Sequence, residues 1–179
     1  IRSDLDIDRQ ARVFISKLKK KWCEIKKSIR SKTKLLPEEL NTEDRCISPS
    51  DFGFHNALIT DNDNLNFIDF EYAGWDDPAK MVGDFFIQPE VSVSLEYFDE
   101  FVSEAFSYSK HKDLLIERAH FLFPIFHVKW CCILLNEFLP SSARRIRFAK
   151  SDFYSELNKK SQLKKSQQKL LEKISKYTV

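Results

Sequence analysis

The chain has 179 residues, of which 42% are hydrophobic and 31% are charged, with 16 phenylalanines and a formal net charge of +2. This length is typical of one globular domain, and the composition excludes collagen-like and low-complexity chains. No uncharged apolar run reaches 18 residues and residues 1–4 do not begin a signal peptide, so we expect a cytoplasmic protein without a membrane span. The four cysteines lack the spacing of a disulfide framework or a zinc site, which favours reduced, buried thiols.

The first predicted element is a helix of about seven turns over residues 5–30. Its apolar residues recur at steps of three and four, which predicts one buried face. They are Ile7, Ala11, Phe14, Leu18, Trp22, Ile25 and Ile29.

A β-hairpin is predicted next. Residues 57–60 and 65–70 are apolar and β-favouring, and the polar run 61–64 between them is typical of a tight turn. Because two short strands are not stable alone, helices must cover them.

Four helices are predicted after the hairpin, at 78–88, 94–108, 112–138 and 150–176. The third is apolar on nearly all sides, which indicates the buried central helix, and Pro124 is expected to kink it. Four of its side chains argue against a membrane span, namely Arg118, His120, His127 and Lys129. The fold class is therefore mainly α with a small β-hairpin (α+β), and residues 1–179 form one domain.

Charge is unevenly distributed along the chain. Residues 1–36 hold 12 basic and 4 acidic side chains, residues 37–141 hold 6 and 20, and residues 142–179 hold 11 and 3. We expect the basic flanks to be solvated helix faces, although contact with nucleic acid, a membrane surface or a protein partner would use the same residues. Binding to a partner would involve Arg144, Arg145 and Arg147, and binding to nucleic acid would weaken steeply with salt.

Three polar residues lie at the ends of the predicted hairpin. Asp51 and Asn56 are five residues apart in the segment that enters the first strand, and Asp69 follows the second strand. Since a hairpin brings its outer ends together, we expect these three side chains to converge. Two carboxylates and an amide oxygen are suitable ligands for Mg²⁺, with one carboxylate left to accept a proton.

The same stretch resembles a known superfamily, the aminoglycoside phosphotransferases with the choline and ethanolamine kinases, whose fold is that of the protein kinases. The resemblance rests on D-x-x-x-x-N at 51–56, I-D-F-E at 68–71, and Y-A-G-W-D-D-P at 72–78. It implies that the chain is the C-terminal catalytic lobe, with a catalytic loop and metal-binding hairpin at 46–70 and a helical, substrate-side subdomain at 78–179. Because the chain has no G-x-G and residues 5–30 are predicted to be a helix, we expect the family's N-terminal nucleotide lobe either to lie outside this sequence or to be dispensable in the natural protein.

The resemblance also implies roles for individual residues. Asp51 matches the catalytic aspartate that accepts or orients the proton of the attacking hydroxyl, and Asn56 and Asp69 match the residues that hold magnesium. Glu71 and His55 are candidates for substrate or metal support, the alternatives being a solvated or helix-capping role for Glu71 and a packed or solvated imidazole for His55. Asp84 matches a helical aspartate that hydrogen-bonds the catalytic loop in the family, with an exposed carboxylate as the alternative. The histidine that the family usually has two residues before the catalytic aspartate is replaced here by Pro49.

The expected activity is phosphoryl transfer from ATP, or GTP, to a hydroxyl of an aminoglycoside, a choline-like molecule or another small acceptor, with Mg²⁺ as cofactor. The acidic centre of the chain suits a cationic acceptor. As a fragment without the nucleotide lobe, the chain is expected to be nearly inactive. The alternative is a non-catalytic, kinase-like binding or scaffolding domain that uses its basic terminal helices. A nucleic-acid partner is the weaker expectation, and the sequence leaves the acceptor and the oligomeric state open.

Overall fold

The computed structural model describes residues 2–32, 39–139 and 152–172. Its helices and strands follow one another along the chain, connected by loops and single 3₁₀ turns. They are α1 (Arg2–Lys32), β1 (Cys46–Ser48), β2 (Ala57–Ile59), β3 (Leu65–Phe67), β4 (Gly74–Asp76), α2 (Pro78–Ile87), α3 (Phe98–Ala105), α4 (Lys112–Leu134) and α5 (Asp152–Leu171). The mainly helical α+β class is confirmed. Arg144, Arg145 and Arg147 lie outside the described residues.

The strands form two separate antiparallel pairs. The predicted hairpin is present as β2 and β3, with Leu58 opposite Asn66. A second pair, β1 with β4, was not predicted, and its central partners are Ile47 and Trp75. The hairpin lies between these two strands in the sequence. The chain passes from β1 into the hairpin and then comes back to pair with β1 as β4.

A phenylalanine-rich core joins α2, α3 and α4. Phe98, Phe106 and Phe123 are at most 1% exposed and pack with Phe86, which lies 5.2 Å from Phe98 between ring centroids. Helices α2 and α4 approach closely at Gly83, where an added Cβ would lie 2.6 Å from the ring of Phe126. Only glycine therefore allows this contact without a shift of the neighbouring helix.

A second core joins α1 to α4 and α5. The predicted face of α1 is buried at five positions, and α4 and α5 supply its partners, including Val128, Cys131 and Leu163. Trp22 was expected on this face but is 38% exposed. Helix α4 thus contributes to both cores, as its apolar composition predicts. The buried positions of α1 are Ile7, Ala11, Phe14, Leu18 and Ile25.

Predicted helix boundaries were close to those observed. The segment predicted at 94–108 divides into a 3₁₀ turn at Leu95–Tyr97 and helix α3, and the segment at 112–138 ends in a 3₁₀ turn at Leu135–Phe138. Pro124 lies inside α4, which continues through it from residue 112 to residue 134.

Helix α4 and the turn after it, Lys112–Phe138, have the length and mean hydropathy (1.3) that would allow a membrane crossing. A helix at the centre of a soluble domain has the same composition. Here α4 packs against α1, α2, α3 and α5.

Candidate functional site

The segment that carries Asp51 runs from the end of β1 to the start of β2. Ser50 has a left-handed backbone conformation (φ 73°), and its N–H donates to the hydroxyl of the buried Ser48 at 3.2 Å. Such a conformation is unfavourable for a residue with a Cβ and persists where the surroundings impose it. It turns the chain so that the side chain of Asp51 is 52% exposed.

Two aromatic side chains attach this loop to the helical core. The ring of Phe52 lies 5.0 Å from Phe85 of α2 and 4.8 Å from Phe67 of β3, and the ring of Phe54 lies 5.1 Å from Phe85. Aromatic pairs at these distances stabilise by roughly 0.5–1.5 kcal/mol beyond the area they bury. The loop is therefore fixed on both sides of Gly53 while Asp51 faces solvent.

Asn56 is in direct contact with Asp51. Its side-chain N–H donates to the backbone carbonyl of Asp51 at 2.9 Å, and its own backbone N–H donates to the carbonyl of Gly53 at 3.0 Å. The first bond uses the amide nitrogen, so the orientation of the side chain is fixed and the carbonyl oxygen Oδ1 is left to accept or to ligate.

Asp69 lies directly after the point where the β2–β3 ladder ends. The N–H of Ile68 donates to the carbonyl of Asn56 at 2.9 Å, which makes Asn56 and Ile68 the last paired positions. Asp69 is exposed and has a left-handed backbone conformation, with φ 64°. The hairpin thus brings Asp69 to the same end as Asn56. A carboxylate and an amide oxygen at this end are ligands of the kind that Mg²⁺ takes.

His55 approaches the side chain of Asp51. Its Nε2 lies 3.3 Å from Asp51 Oδ1, and the imidazole is 17% exposed. Glu71 lies in the turn after Asp69 and is exposed. Within the described ranges, Glu71 has no hydrogen bond or ion pair through its carboxylate.

A pocket of about 250 Å³ opens beside Asp51 and His55. Its other walls come from the end of α2, from α4 and from the 3₁₀ turn after it, and they include Trp130, Glu90 and Glu137. Glu90 is paired with Lys165 of α5 at 2.8 Å, whereas the buried Oε2 of Glu137 has no hydrogen-bond partner among the described residues. Glu137 was not predicted as a site residue, because nothing in its local sequence pattern connects it with residues 51–56.

Asp84 is fully buried, so the alternative of an exposed carboxylate was wrong. Its Oδ1 accepts from Lys129 Nζ at 2.6 Å and from Trp130 Nε1 at 3.0 Å, and its Oδ2 lies 3.1 Å from Lys80 Nζ. These partners lie on α2 and α4, and in the described part of the chain no bond leads from Asp84 directly to the loop at 49–56. Lys80 also contacts Asp76 of β4 at 2.7 Å. Asp84 is therefore connected to β4 through Lys80.

The Asp-Asp-Pro run at 76–78 has a structural explanation. Asp77 is the N-cap of α2, since its side chain accepts from Ala79 N–H, and Pro78 occupies the first turn. Arg118 of α4 binds the other oxygen of Asp77 at 2.7–2.8 Å.

Burial lowers the pKa of Lys80, but the hydrogen bond from Lys80 to Asp76 and the charge of Asp84 outweigh the effect of burial, so the pKa of Lys80 is raised overall.

Thiol chemistry has no support at this site. Burial and the nearby Asp76 raise the pKa of Cys46, in β1, to about 11, so its thiol is protonated at neutral pH. Burial likewise raises the pKa of Cys131 to about 12.

A second polar cluster lies away from Asp51. Glu43, Asp44 and His111 come within 4.8 Å of one another, the arrangement of a candidate metal site. However, the carboxylate of Asp44 already accepts from Ser109 at 2.7 Å and lies 2.9 Å from His111 Nδ1, and Glu43 is paired with Lys110. Burial raises the pKa of Asp44. The hydrogen bonds from Ser109 and His111 lower it by more than burial raises it, so the net shift of the pKa is downward. The cluster therefore links the segment 42–44 to the segment 108–111 by hydrogen bonds and ion pairs.

Comparisons with protein-family models, with curated proteins and with solved structures found no match. Arguments about function therefore depend on the side chains described above.

Proposed function

We propose that this chain is the catalytic lobe of a kinase-like enzyme that transfers the γ-phosphoryl group of ATP, or GTP, to a hydroxyl of a small molecule. The observation that carries the proposal is the bond from the Asn56 side chain to the Asp51 backbone at the end of the hairpin where Asp69 also lies. It combines an exposed carboxylate, an oriented amide oxygen and a second carboxylate in one short segment.

The proposed role of Asp51 is to accept the proton of the acceptor hydroxyl. Its carboxylate borders a pocket large enough for a small molecule, and a positioned general base accelerates such reactions roughly 10²- to 10⁴-fold. The acceptor oxygen forms a bond to the γ-phosphorus, the bond to the nucleoside diphosphate breaks, and the proton passes to Asp51.

Asn56 and Asp69 are the residues that would hold Mg²⁺. A bound magnesium ion would neutralise phosphate charge and orient the nucleotide, which is the main requirement of phosphoryl transfer. Asn56 fits this role because its amide nitrogen is already engaged with Asp51, so its oxygen is the atom that remains available. Glu71, exposed two residues after Asp69, would support a metal-bound water or the substrate.

The pocket favours a small cationic acceptor. It is lined by Asp51, Glu90 and Glu137, and the buried Glu137 oxygen lacks a partner that a bound ammonium would supply. A volume of about 250 Å³ lies just below the usual range for ligand pockets, roughly 300–1,000 Å³, which favours an amino alcohol over a multi-ring aminoglycoside.

The nucleotide-binding part of the enzyme would pack over the strands. Large apolar side chains are exposed on both strand pairs and in the connection between them, which is unusual on a solvent-facing surface. We propose that these side chains are covered in the active enzyme, and that the enzyme is cytoplasmic. They include Leu58 (55% exposed), Ile59 (75%), Phe70 (52%), Tyr72 (76%) and Trp75 (66%).

The experiment is magnesium-dependent ATP turnover by the full-length protein, with amino alcohols and aminoglycosides as acceptors. Asp51→Asn is expected to reduce turnover roughly 10²- to 10⁴-fold, because the amide cannot accept the proton. Asp61→Asn is the matched control, since Asp61 is an exposed residue of the β2–β3 turn and should have no effect. A full-length protein that neither binds Mg-ATP nor turns it over would contradict the proposal and favour a non-catalytic binding domain.

A further inference from the structure

His55 and Asp51 form a pair that the loop conformation imposes. The 3₁₀ turn Phe54–Asn56 places the imidazole back over the loop, with Nε2 3.3 Å from Asp51 Oδ1. Both side chains line the same pocket. The pair is therefore located where the proposed acceptor hydroxyl must approach.

The surroundings of the other ring nitrogen determine which atom carries the proton. Nδ1 of His55 is buried, and no described residue supplies it with a hydrogen-bond partner. It faces the backbone of Gly53, where an added Cβ would lie only 2.7 Å away. A proton on Nδ1 would leave a buried N–H without an acceptor, which is costly, so of the two neutral tautomers the one with its proton on Nε2 is favoured. Nε2 is the ring nitrogen that lies 3.3 Å from Asp51 Oδ1, within ion-pair distance.

We propose that His55 is a positioning residue that holds the carboxylate of Asp51 in its reactive orientation. The imidazole N–H occupies Oδ1, which leaves Oδ2 to accept the proton of the acceptor hydroxyl. Asp51 needs such support because it is half exposed and, of the contacts seen in the described ranges, its carboxylate has only the one to His55. This inference rests on the proposed kinase function and adds to it the control of Asp51.

The pair lies in acidic surroundings. Asp51, Glu90 and Glu137 all line the pocket, and the positively charged Lys165 is directed to Glu90. Among these groups, His55 is the one that lies within ion-pair distance of Asp51. Removal of the His55 imidazole should therefore leave the Asp51 carboxylate without a partner, because none of these other groups is close enough to replace it.

The test compares His55→Leu with His55→Gln in the full-length protein. Leucine removes the N–H, whereas the amide N–H of glutamine can occupy a position close to that of Nε2. We expect kcat to fall roughly 10- to 100-fold in His55→Leu, with the KM for ATP unchanged, and to recover most of this loss in His55→Gln. Thermal melting of each variant checks that it is folded.

A double-mutant cycle separates positioning from a general structural effect. If His55 acts through Asp51, adding His55→Leu to Asp51→Asn should change the residual kcat less than about twofold. Full additivity, or equal losses in the leucine and glutamine variants, would overturn the inference while the kinase function stands. Absence of magnesium-dependent turnover in the unmodified protein would instead remove the proposed function, and this inference with it.

Discussion

The carboxylate between the helices and the carboxylates at the strands differ in burial and pairing. Asp84, between α2 and α4, is fully buried and surrounded by Lys80, Lys129 and Trp130. Asp51 and Asp69, at the hairpin, are exposed. A buried charge must be paired to be tolerated, whereas an exposed carboxylate on a fixed backbone is free to bind a ligand. Stability should therefore depend on the helical half of the molecule and activity on the strand half.

Replacing Asp84 with alanine should produce the largest loss of stability. Lys129 would lose its buried counter-charge, Lys80 would keep only Asp76, and Trp130 would lose its acceptor. Breaking a buried pair in this way costs about 3–5 kcal/mol of unfolding free energy. Urea denaturation measures it, with Glu117→Ala on the exposed side of α4 as control. An unchanged midpoint would mean that burial of Asp84 does not have the energetic importance assigned here.

Acid should weaken the helical half through His127. Burial, together with the charges of Lys169 and Lys21, lowers the pKa of His127 to about 4 from the ordinary value of 6.5. Glu172 also faces the ring, with Oε2 3.9 Å from Nε2. Between these two pKa values the unfolded chain binds a proton that the folded protein does not, so stability falls as pH decreases from 6.5 to 4, by about 3 kcal/mol at most.

Urea denaturation at pH 7 and at pH 4.5 measures this loss. Other carboxylates also contribute in acid, so the informative quantity is the difference between the protein and its His127→Asn variant. The variant keeps a side-chain N–H near the position of Nδ1 but has no titrating group. The pH dependence of its stability should be visibly smaller, and an equal dependence would mean that the ring is not held neutral.

Local patterns were sufficient to predict much of the fold. The apolar steps of α1, the continuous apolar composition of α4 and the β2–β3 hairpin all depend on residues close in sequence. The β1–β4 pair was missed because its partners are separated by 26 to 30 positions, whereas β2 and β3, which are equally short, are joined by a recognisable turn. Such a short segment has no periodicity of its own, and its conformation follows from the partner that it meets.

Within the site, too, contacts between residues close in sequence were predicted and contacts between distant residues were not. The spacing of Asp51 and Asn56 predicted a cluster, and the structure adds the bond between them. The partners of Asp84 were not foreseen, because Lys129 and Trp130 lie 45 and 46 residues further along the chain. Asp44 and His111, which are also in contact, are 67 residues apart in the sequence. Partners this distant are set by how the helices pack, which no short motif records.

The smallest effect on stability, and the sharpest test of the contrast between the two halves, should come from Gly53→Ala. The new Cβ would lie 2.7 Å from His55 Nδ1 and 2.9 Å from Gln88 Cγ, so the imidazole must tilt away. The backbone of Gly53 is extended (φ 169°), a conformation that alanine adopts without strain. Crowding against the imidazole and the fully buried Gln88 costs roughly 1–3 kcal/mol, and the reduced freedom of the unfolded chain returns roughly 0.4–1 kcal/mol, so the net loss should be at most about 2 kcal/mol.

Turnover, in contrast, should fall in Gly53→Ala roughly as far as in His55→Leu, because both changes separate the imidazole from Asp51. Gly74→Ala is the matched control, since an added Cβ at Gly74 meets no atom within 4 Å. Steady-state kinetics and thermal melting of the two alanine variants give the comparison. If Gly53→Ala lost stability while kcat stayed unchanged, the loop at 49–56 would be a structural element like Asp84 and its partners, and the division of labour between the two halves would fail.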